Sequence, residues 1–367
     1  MTVYKEMAEA YPVLVTGGTG CLGQHLIKFL HTHALHVTEI RVLDMAPFSK
    51  KLEYEERVPV TSITADIGDL TDTSSFQGVK TVFHLASIIS VNNFPDIEKM
   101  ERVNVKGTKN ILEACLQAGV ERIVNCSTVD VVCGFNNIVD GEEDTTRTPG
   151  RLIYEGYGGT KLRAEEAVLN SSGQPLQSGL RFQTVSLRPT VFFGELDSHY
   201  IPSVLKMAHR NGGVLVQIGN GSSLYQHTYV GNVAWAFICA ERTLRSAAGE
   251  ESISGQAYFI TDDCPPCSVS EQVLPFLRGR GFRLSTYRIP FSIVYSAVRF
   301  TECLLWLLSP ITKIDLGFSA ISLWYSINTT LTFKSKKARL ELDYSPLFTP
   351  EESTVQANDY YSKLTLT

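Results

Sequence analysis

The amino-acid sequence predicts an α/β fold in which a doubly wound parallel sheet carries a smaller C-terminal lobe. In the first half of the chain, short apolar runs alternate with longer segments of helical periodicity, which is typical of βαβ units and a parallel sheet. A glycine-rich turn joins the first apolar run to the first helical segment. Beyond about residue 190 this rhythm loosens, and glycines and polar loops become more frequent.

Strand and helix patterns alternate along the first half of the chain. "PVLVTGG" predicts a buried strand, "CLGQHLIKFLHTH" a helix, "EIRVLD" a second strand, and "VTSITADI" and "VKTVFHLAS" two more. "MERVNVKGTKNILEACLQAG" has helical spacing, "ERIVNCSTVDVV" returns to strand character, and a helix follows "YEG". We predict a dinucleotide-binding domain over residues 11–190, a substrate-binding lobe over 191–289, an apolar segment over 290–327 and a C-terminal segment over 328–367.

Composition excludes several classes of partner. The chain has 367 residues, 44% hydrophobic and 19% charged, with a net charge of -5 and no basic cluster interleaved with aromatics, so we expect no nucleic-acid partner. Eight scattered cysteines and a polar N-terminal end without an export segment indicate reduced thiols, in the cytosol or on the cytosolic face of a membrane. Cys264 and Cys267 form a single CxxC interrupted by prolines, and we predict no metal site.

A dinucleotide site is predicted at "LVTGGTGCLGQHL", which follows a strand and opens a helix. Gly17 permits the tight turn, Gly20 lets the backbone approach a pyrophosphate, and Gly23 lets helix and strand pack closely. The helix N-terminus supplies free N–H groups for the phosphates. We place Cys21 and Leu22 of the same turn, and Ala86 after a later strand, with these glycines in the cofactor site.

Two acidic residues bear on the choice of cofactor. Asp44 ends the second strand, where a carboxylate accepts hydrogen bonds from the adenosine ribose and repels a 2′-phosphate. Met45 follows it, so no adjacent arginine compensates, and the sequence predicts NAD rather than NADP. Asp66 ends the next strand, and the sequence leaves open whether it contacts the adenine or is a loop aspartate.

The catalytic residues are predicted from a Tyr–Lys pair. Tyr157 and Lys161 are four residues apart, which places both side chains on one helix face. Ser127 and Thr128 end the preceding strand and offer a hydroxyl to an alcohol or ketone oxygen. We expect Lys161 to lower the pKa of Tyr157, which then exchanges the substrate proton. Tyr154 is left as a pocket wall.

Two glycines, Gly158 and Gly159, stand in the first turns of this helix, although each costs about 1 kcal/mol relative to alanine there. We hypothesise that a side chain at either position would crowd the nicotinamide or the substrate.

The segment "PFSIVYSAVRFTECLLWLLSP", residues 290–310, is almost wholly apolar and is interrupted only by Arg299 and Glu302. A second apolar stretch covers residues 316–327. The alternatives are a buried helix pair and a membrane-embedded or interfacial element, and we favour the second, with Arg299 and Glu302 paired. The complete fold prediction is thus a Rossmann-type doubly wound sheet with a smaller substrate-binding lobe and a membrane-associated helical segment.

TGxxGxxG, the strand-end Ser-Thr and YxxxK together resemble the extended short-chain dehydrogenase/reductases, as do "VNVKGTKN", "LRPT" and "TYVGNVAWA". Within that superfamily, "RPTVFFGE", "YVGNVAWA" and "NTTLTFKSKKARLELDYSPLFTPEES" are most similar to the 3β-hydroxysteroid dehydrogenase/Δ5-4 isomerase family. The likeness extends from about residue 11 to 355.

The resemblance implies specific roles. Tyr157, Lys161 and Thr128 would be catalytic, Thr128 rather than Ser127 because of its spacing to Val131; many relatives carry serine there. Asn104 would lie near the active site, and Pro189 would pass the nicotinamide. The family implies NAD, a sterol or steroid substrate and anchoring in the endoplasmic reticulum membrane with a cytosolic catalytic domain, or in a mitochondrial membrane. The resemblance leaves open whether the protein forms homo-oligomers, and no residue is matched to the isomerase step.

Three alternatives remain at this point. A nucleotide-sugar epimerase needs basic residues for a diphosphate, for which the second lobe offers only scattered ones such as Lys206 and Arg210. A soluble carbonyl reductase on the same scaffold would not need the apolar segment. A non-catalytic NAD sensor would need the phosphate site but not the Tyr157–Lys161 pair.

Overall fold

The computed structural model describes residues 10–246 and 253–366. The N-terminal residues on which the absence of an export segment was argued, and the last residue of the predicted C-terminal segment, lie outside these ranges. The strands are β1 (Tyr11–Thr16), β2 (Val37–Asp44), β3 (Val60–Thr64), β4 (Thr81–His84), β5 (Arg122–Cys126), β6 (Ile138–Gly141), β7 (Gln183–Pro189), β8 (Val191–Phe193), β9 (Val214–Ile218), β10 (His227–Tyr229), β11 (Gln256–Ile260), β12 (Arg283–Ile289) and β13 (Leu331–Phe333).

The helices are α1 (Cys21–His33), α2 (Ile97–Met100), α3 (Thr108–Ala118), α4 (Glu155–Asn170), α5 (Tyr200–Arg210), α6 (Val230–Arg245), α7 (Val269–Gly279), α8 (Phe291–Leu308), α9 (Ala320–Asn328), α10 (Lys336–Glu341) and α11 (Pro350–Lys363). A π-helical segment, Glu101–Gly107, joins α2 directly to α3.

A seven-stranded parallel sheet forms the centre of the molecule in the order β3-β2-β1-β4-β5-β7-β11. Strands β2 and β3 lie on one side of β1, and β4, β5, β7 and β11 lie on the other. The order of the strands therefore reverses between β1 and β4. In open α/β sheets ligands bind outside the carboxyl ends of the strands at such a point. The prediction of a doubly wound parallel sheet is confirmed.

The chain beyond residue 190 contributes to three small two-stranded sheets, β8 with β10, β9 with β12 and β6 with β13. It also returns to the central sheet, because β11 pairs with β7. Helix α6 packs on α1, and one hydrophobic cluster joins residues of β1, α1, α6, β11 and α11. Residues of three of the predicted segments, 11–190, 191–289 and 328–367, therefore pack together in one cluster, and the division into domains stays a prediction.

Helix α4 begins earlier than the sequence suggests. Its N-cap is Tyr154, so Glu155 and Gly156 lie inside the helix, whereas the sequence analysis places "YEG" before it. The nearest heavy atom to a Cβ built on Gly156 is Ile97 Cδ1, at 2.6 Å. This glycine therefore allows close packing of α4 on α2.

Helix α8 lies on the surface, and Leu305 is its one buried residue. Trp306 is 68% exposed and Phe300 66%. The Arg299 Nη1 atom donates to Glu302 Oε2 at 2.9 Å, as predicted. Within the described residues, α8 is the one helix long and apolar enough to cross a membrane, by length and composition. Helix α8 is therefore not part of a buried helix pair, which was the other alternative for this segment.

Candidate active site

A cavity of about 400 Å³ opens at the carboxyl edge of the central sheet, where the order reverses. Its walls come from the glycine turn after β1, the segment after β4, the segment after β5, the start of α4 and the end of β7. Predicted site residues that line it are Gly17, Gly20, Cys21, Leu22, Gly23, Ser127, Thr128, Tyr157, Lys161 and Pro189. The fold thus brings together most of the residues predicted from sequence.

The glycine turn has the shape of a phosphate cradle. Gly17 has a φ of +72°, and a Cβ there would lie 2.7 Å from the backbone nitrogen of Ala86. A Cβ on Gly23 would lie 2.4 Å from the Gly17 carbonyl oxygen. Gly20 is the N-cap of α1 and no side chain caps the helix, so its first N–H groups are available to a pyrophosphate. These residues fit a dinucleotide.

The two acidic residues predicted near the adenosine do not line this cavity. Asp44 lies beside the glycine turn, where its Oδ2 accepts a hydrogen bond from the Thr19 N–H at 3.0 Å. Asp66 accepts from the Gly68 N–H at 2.8 Å and pairs with Arg102 at 2.8 Å. Asp66 thus has partners within the protein, as a loop aspartate can have, and its contact with the adenine stays a prediction.

A cation that the sequence spacing does not suggest contacts the glycine turn that Asp44 also contacts. The Lys51 Nζ atom donates to the carbonyl oxygen of Thr19, in the turn that Asp44 holds, at 3.5 Å.

We expect Asp44→Ala to narrow the preference for NAD over NADP by about tenfold or more, because a charged hydrogen bond contributes roughly 1.5–3 kcal/mol. Titration calorimetry with both dinucleotides measures this. Lys51→Gln is the matched control and should widen the preference. Wild-type protein that binds both dinucleotides equally would contradict the role of Asp44.

Tyr157 and Lys161 face the cavity from one side of α4, and both are buried. The Lys161 ammonium donates to the Cys126 carbonyl oxygen at 2.6 Å, and burial lowers the pKa of Lys161. The pKa of Tyr157 is raised, first by burial and then by the negative charge of Asp130. The lowering of this pKa by Lys161 therefore stays a prediction. In this structure the lysine is engaged by the strand end, and the burial of Tyr157 dominates.

The two candidate hydroxyls differ in their surroundings. The Thr128 Oγ1 atom donates to Asp130 Oδ2 at 3.1 Å and accepts from the Asp130 N–H at 3.2 Å. Ser127 is buried, and among the described residues its Oγ has no hydrogen-bond partner. Thr128 is therefore already engaged by Asp130, and Ser127 offers an unpaired hydroxyl to whatever enters the cavity.

Gly158 lies against the backbone of the turn that follows β5. A Cβ there would lie 2.9 Å from the Asp130 carbonyl oxygen, in the turn that follows β5. A Cβ on Gly159 would meet only Arg163 Nη1 at an ordinary 3.5 Å. The Asp130 contact is a reason for glycine at position 158, and the hypothesis that both glycines make room for nicotinamide or substrate stays a prediction.

The two glycines form a matched pair for a stability measurement. We expect Gly159→Ala to raise the free energy of unfolding by roughly 0.5–1 kcal/mol, because alanine favours the helix and has room. Gly158→Ala should lower it, since the backbone oxygen of Asp130 cannot move without disturbing the turn. Urea unfolding of wild type and both variants measures these free energies. A Gly158→Ala protein more stable than wild type would contradict the prediction.

Asn104 supports α4 from the π-helical segment. Its Nδ2 atom donates to the Ile88 carbonyl at 3.0 Å and to Thr160 Oγ1 at 3.1 Å, and its Oδ1 accepts from the Ile88 N–H at 2.8 Å. π-Helical turns are frequent at functional sites. Asn104 thus joins the segment after β4 to the helix that carries Tyr157 and Lys161.

Several residues of the cavity are not predicted from sequence. Asp130 lines it, and so do Asp197, Ser198, His199 and Tyr200 before and at the start of α5. Hydrophobic periodicity does not predict these five residues, because they lie in or next to turns and come together only through the fold. The signal available for Asp130 is its place just after Ser127 and Thr128.

The CxxC pair remains two free thiols. Cys264 is buried and Cys267 is partly buried. Within residues 10–246 and 253–366, no group of three or more His, Cys, Asp or Glu side chains is arranged to hold a metal ion.

Comparison with known proteins agrees with the fold. MoeE5, solved in complex with UDP-glucose and NAD, matches with a TM-score of 0.67 and 22% identity over 95% of this chain and 98% of its own. A UDP-galactose 4-epimerase matches at 0.67 and 19%, over 96% and 99%. A UDP-glucose 4-epimerase from Thermus thermophilus, in complex with NAD, matches at 0.64 and 20%, over 96% and 100%. At these identities the likeness shows a common fold.

The sheet order and the glycine turn, with Tyr157 and Lys161 beside it, define an extended short-chain dehydrogenase/reductase. The model of the 3-beta hydroxysteroid dehydrogenase/isomerase family matches residues 14–291, and the chain belongs to this family. The resemblance stated from the sequence is confirmed. The family is NAD-dependent, and NAD is the cofactor.

Proposed function

We propose that the protein oxidises the 3β-hydroxyl of a sterol or steroid to the ketone, with NAD as the hydride acceptor. The observation that carries this proposal is the absence of positive charge in the cavity beyond the catalytic pair. Among the described residues that line it, Lys161 is the one lysine or arginine. A nucleotide sugar would bring a diphosphate that needs further cations.

The remaining walls suit an apolar alcohol. Ile89, Val91, Tyr154, Phe192 and Tyr200 present hydrocarbon and aromatic surface to the cavity. Ile89 lines the cavity and is 55% exposed. Lys206 and Arg210, the basic residues weighed for an epimerase, lie on α5 outside this lining.

An apolar surface next to the cavity supports a lipid-soluble substrate. Val91 lines the cavity, and its carbonyl oxygen accepts hydrogen bonds from Ser319 and Ser322, both at 3.0 Å. Ser319 caps α9, which packs on the exposed helix α8. We propose that α8 and the loop after it lie in the interface of the endoplasmic reticulum membrane, with the catalytic domain in the cytosol. A sterol dissolved in the bilayer would then be close to the cavity.

The chain's own residues have distinct tasks in this proposal. The glycine turn and the N-terminus of α1 hold the pyrophosphate, and Asp44 holds the adenosine ribose. When bound, NAD supplies the acceptor for the hydride that leaves the carbinol carbon. Thr128 or Ser127 orients the hydroxyl oxygen, Tyr157 exchanges its proton, and Lys161 keeps a positive charge beside the pair.

The proposal is tested with purified protein, NAD and a panel of 3β-hydroxysteroids and UDP-sugars, by following NADH formation. We expect NADH with the hydroxysteroids and none with the UDP-sugars. Interconversion of UDP-sugar epimers would instead support the epimerase alternative, and NAD binding without turnover of any substrate would support a sensor. Absorbance of a conjugated enone in the same assay reports the Δ5–Δ4 isomerisation that the family name includes.

A further inference from the structure

We propose that a second cavity, formed by α8, the start of α9 and the segment after β4, is an entry site that holds the sterol or steroid on its way from the bilayer to the catalytic cavity. This entry cavity has a volume of about 480 Å³, and small-molecule sites have volumes of roughly 300–1,000 Å³. The catalytic cavity is the one that Tyr157 and Lys161 face. The inference rests on the proposed function for the class of ligand, and none of the described residues that line the entry cavity is a predicted cofactor or catalytic residue.

The entry cavity adjoins the catalytic cavity along one stretch of chain. Ile89 and Val91 line the catalytic cavity, and the four residues that follow, 92–95, line the entry cavity. The Val91 carbonyl oxygen accepts a hydrogen bond at 3.0 Å from the hydroxyl of Ser319, which lines the entry cavity. The two cavities therefore share one wall, the segment that follows β4.

Two asparagines of this wall are held by the loop that joins α8 to α9. The Asn93 Nδ2 atom donates to the Ile314 carbonyl oxygen at 3.0 Å, and Asn93 Oδ1 accepts from the Leu316 N–H at 2.8 Å. The Asn92 Nδ2 atom donates to Asp315 Oδ2 at 2.5 Å, and Asn92 Oδ1 accepts from the backbone N–H two residues further on at 3.2 Å. Both side-chain amides therefore have partners within the protein.

The other polar side chains of the entry cavity are also engaged. Arg299 Nη1 donates to Glu302 Oε2 at 2.9 Å, and Glu302 Oε1 accepts from the Ala320 N–H at 2.6 Å. The Ser319 Oγ atom accepts from the Ser322 N–H at 3.1 Å. Each polar side chain among the described lining residues thus has a protein partner, and a ligand in this cavity meets no unpaired charge.

The surface that remains for a ligand is apolar. It is supplied by Phe94, Pro95, Cys303, Trp306 and Ile321. Trp306 is 68% exposed on α8, the helix that we propose to lie in the membrane interface. A charged ligand would lose its hydration here without gaining a free partner, whereas an apolar ligand gains from the contact. A sterol meets this condition, and the wall shared with the catalytic cavity favours the substrate over a lipid acyl chain.

The binding test uses a 3β-hydroxysteroid that carries a photoreactive diazirine, added without NAD to the protein in phosphatidylcholine vesicles. We expect irradiation to label the α9 peptide that contains Ile321, and an excess of unlabelled steroid to remove most of this label. Cys303→Trp places a larger side chain in the cavity and should abolish the label that steroid competes for. Leu304→Trp, on the same helix but outside the lining, should keep it. Label that excess steroid does not reduce would show exposure to bulk lipid only and would overturn the proposal.

The kinetic test compares the same two variants with wild type, using NAD and steroid delivered from the vesicles. Because Cys303 lies outside the catalytic cavity, Cys303→Trp should raise KM for the steroid by about tenfold and change kcat by less than about twofold. Leu304→Trp should keep both constants, and an equal NAD dissociation constant in all three proteins shows that the variants are folded. A wild-type KM in folded Cys303→Trp would refute the entry site.

The two measurements separate this proposal from the proposed function. If wild type oxidises no 3β-hydroxysteroid, the proposed function fails, while the competition for the label at Ile321 still decides whether the entry cavity binds a steroid. If wild type is active and its label at Ile321 is absent or resists competition, the entry site alone fails. The competition experiment on wild type needs no variant, so it decides the proposal even where Cys303→Trp does not fold.

Discussion

Tyr157→Phe should lower turnover by about 10² or more, the usual contribution of a positioned acid–base group. The substitution keeps the ring and its packing and removes only the hydroxyl that faces the cavity. Because this side chain is buried against the turn after β5, we expect the fold and NAD binding to survive. The measurement is kcat with NAD and the best hydroxysteroid of the panel, alongside a dinucleotide dissociation constant.

Tyr154→Phe is the matched control, since Tyr154 lines the same cavity and precedes the same helix. Its ring contacts Tyr325 at a centroid distance of 5.3 Å, and this packing survives the loss of a hydroxyl. We expect the activity of Tyr154→Phe to fall by less than about tenfold, which is a smaller loss than that of Tyr157→Phe. The reverse order of effects would mean that the catalytic tyrosine was assigned to the wrong position.

Polar substitutions on α8 should release the protein from membranes. Ile293, Phe300, Trp306 and Leu307 are each more than 60% exposed, at 61%, 66%, 68% and 65%. Burying four such side chains in hydrocarbon contributes roughly 6–12 kcal/mol, at about 1.5–3 kcal/mol each. Serine at all four positions should therefore move the protein from the carbonate-resistant membrane fraction to the supernatant. The 18 residues of α8 span about 27 Å at 1.5 Å per residue, which suits a shallow or tilted embedding.

Substitution is a sharper test than deletion of residues 290–310. Deletion would remove Leu305, which is buried, and Glu302, whose Oε1 accepts from the Ala320 N–H at 2.6 Å. The control replaces apolar side chains of similar exposure elsewhere, Leu35 at 76%, Val139 at 68%, Leu340 at 75% and Val355 at 69%. The control protein should stay with the membranes. Release of the unsubstituted protein by carbonate would remove the argument that a lipid-soluble substrate reaches the cavity from the bilayer.

The sequence was most informative where the controlling interactions are local. The strand, glycine turn and helix at residues 11–33 follow from periodicity and from glycines such as Gly20 and Gly23, whose nearest neighbours lie within the same turn. The pairing of Arg299 with Glu302 also followed from helix spacing. In each case the partners are a few residues apart, so spacing alone was sufficient.

The sequence was least informative where partners are distant along the chain. Tyr325 reaches Asp130 from 195 residues away, and neither position carries a motif of its own. Gly158 lies against the Asp130 carbonyl, which no helical pattern reveals. The return of β11 to the edge of the central sheet likewise depends on pairing with β7, a long-range contact. These features arise from tertiary packing, which single-sequence patterns do not encode.

The central claim is that this cavity presents a 3β-hydroxyl to NAD, and a pair of epimers tests it most directly. Purified wild-type protein is given NAD and, separately, the 3β- and 3α-hydroxy forms of one steroid, with NADH followed by absorbance and the product identified by mass spectrometry. We predict NADH and an equal amount of the 3-ketone from the 3β epimer, with kcat/KM at least about 100-fold above that of the 3α epimer, a ratio worth roughly 2.8 kcal/mol. Equal rates with both epimers, or no NADH from either while a UDP-sugar is turned over, would contradict the account.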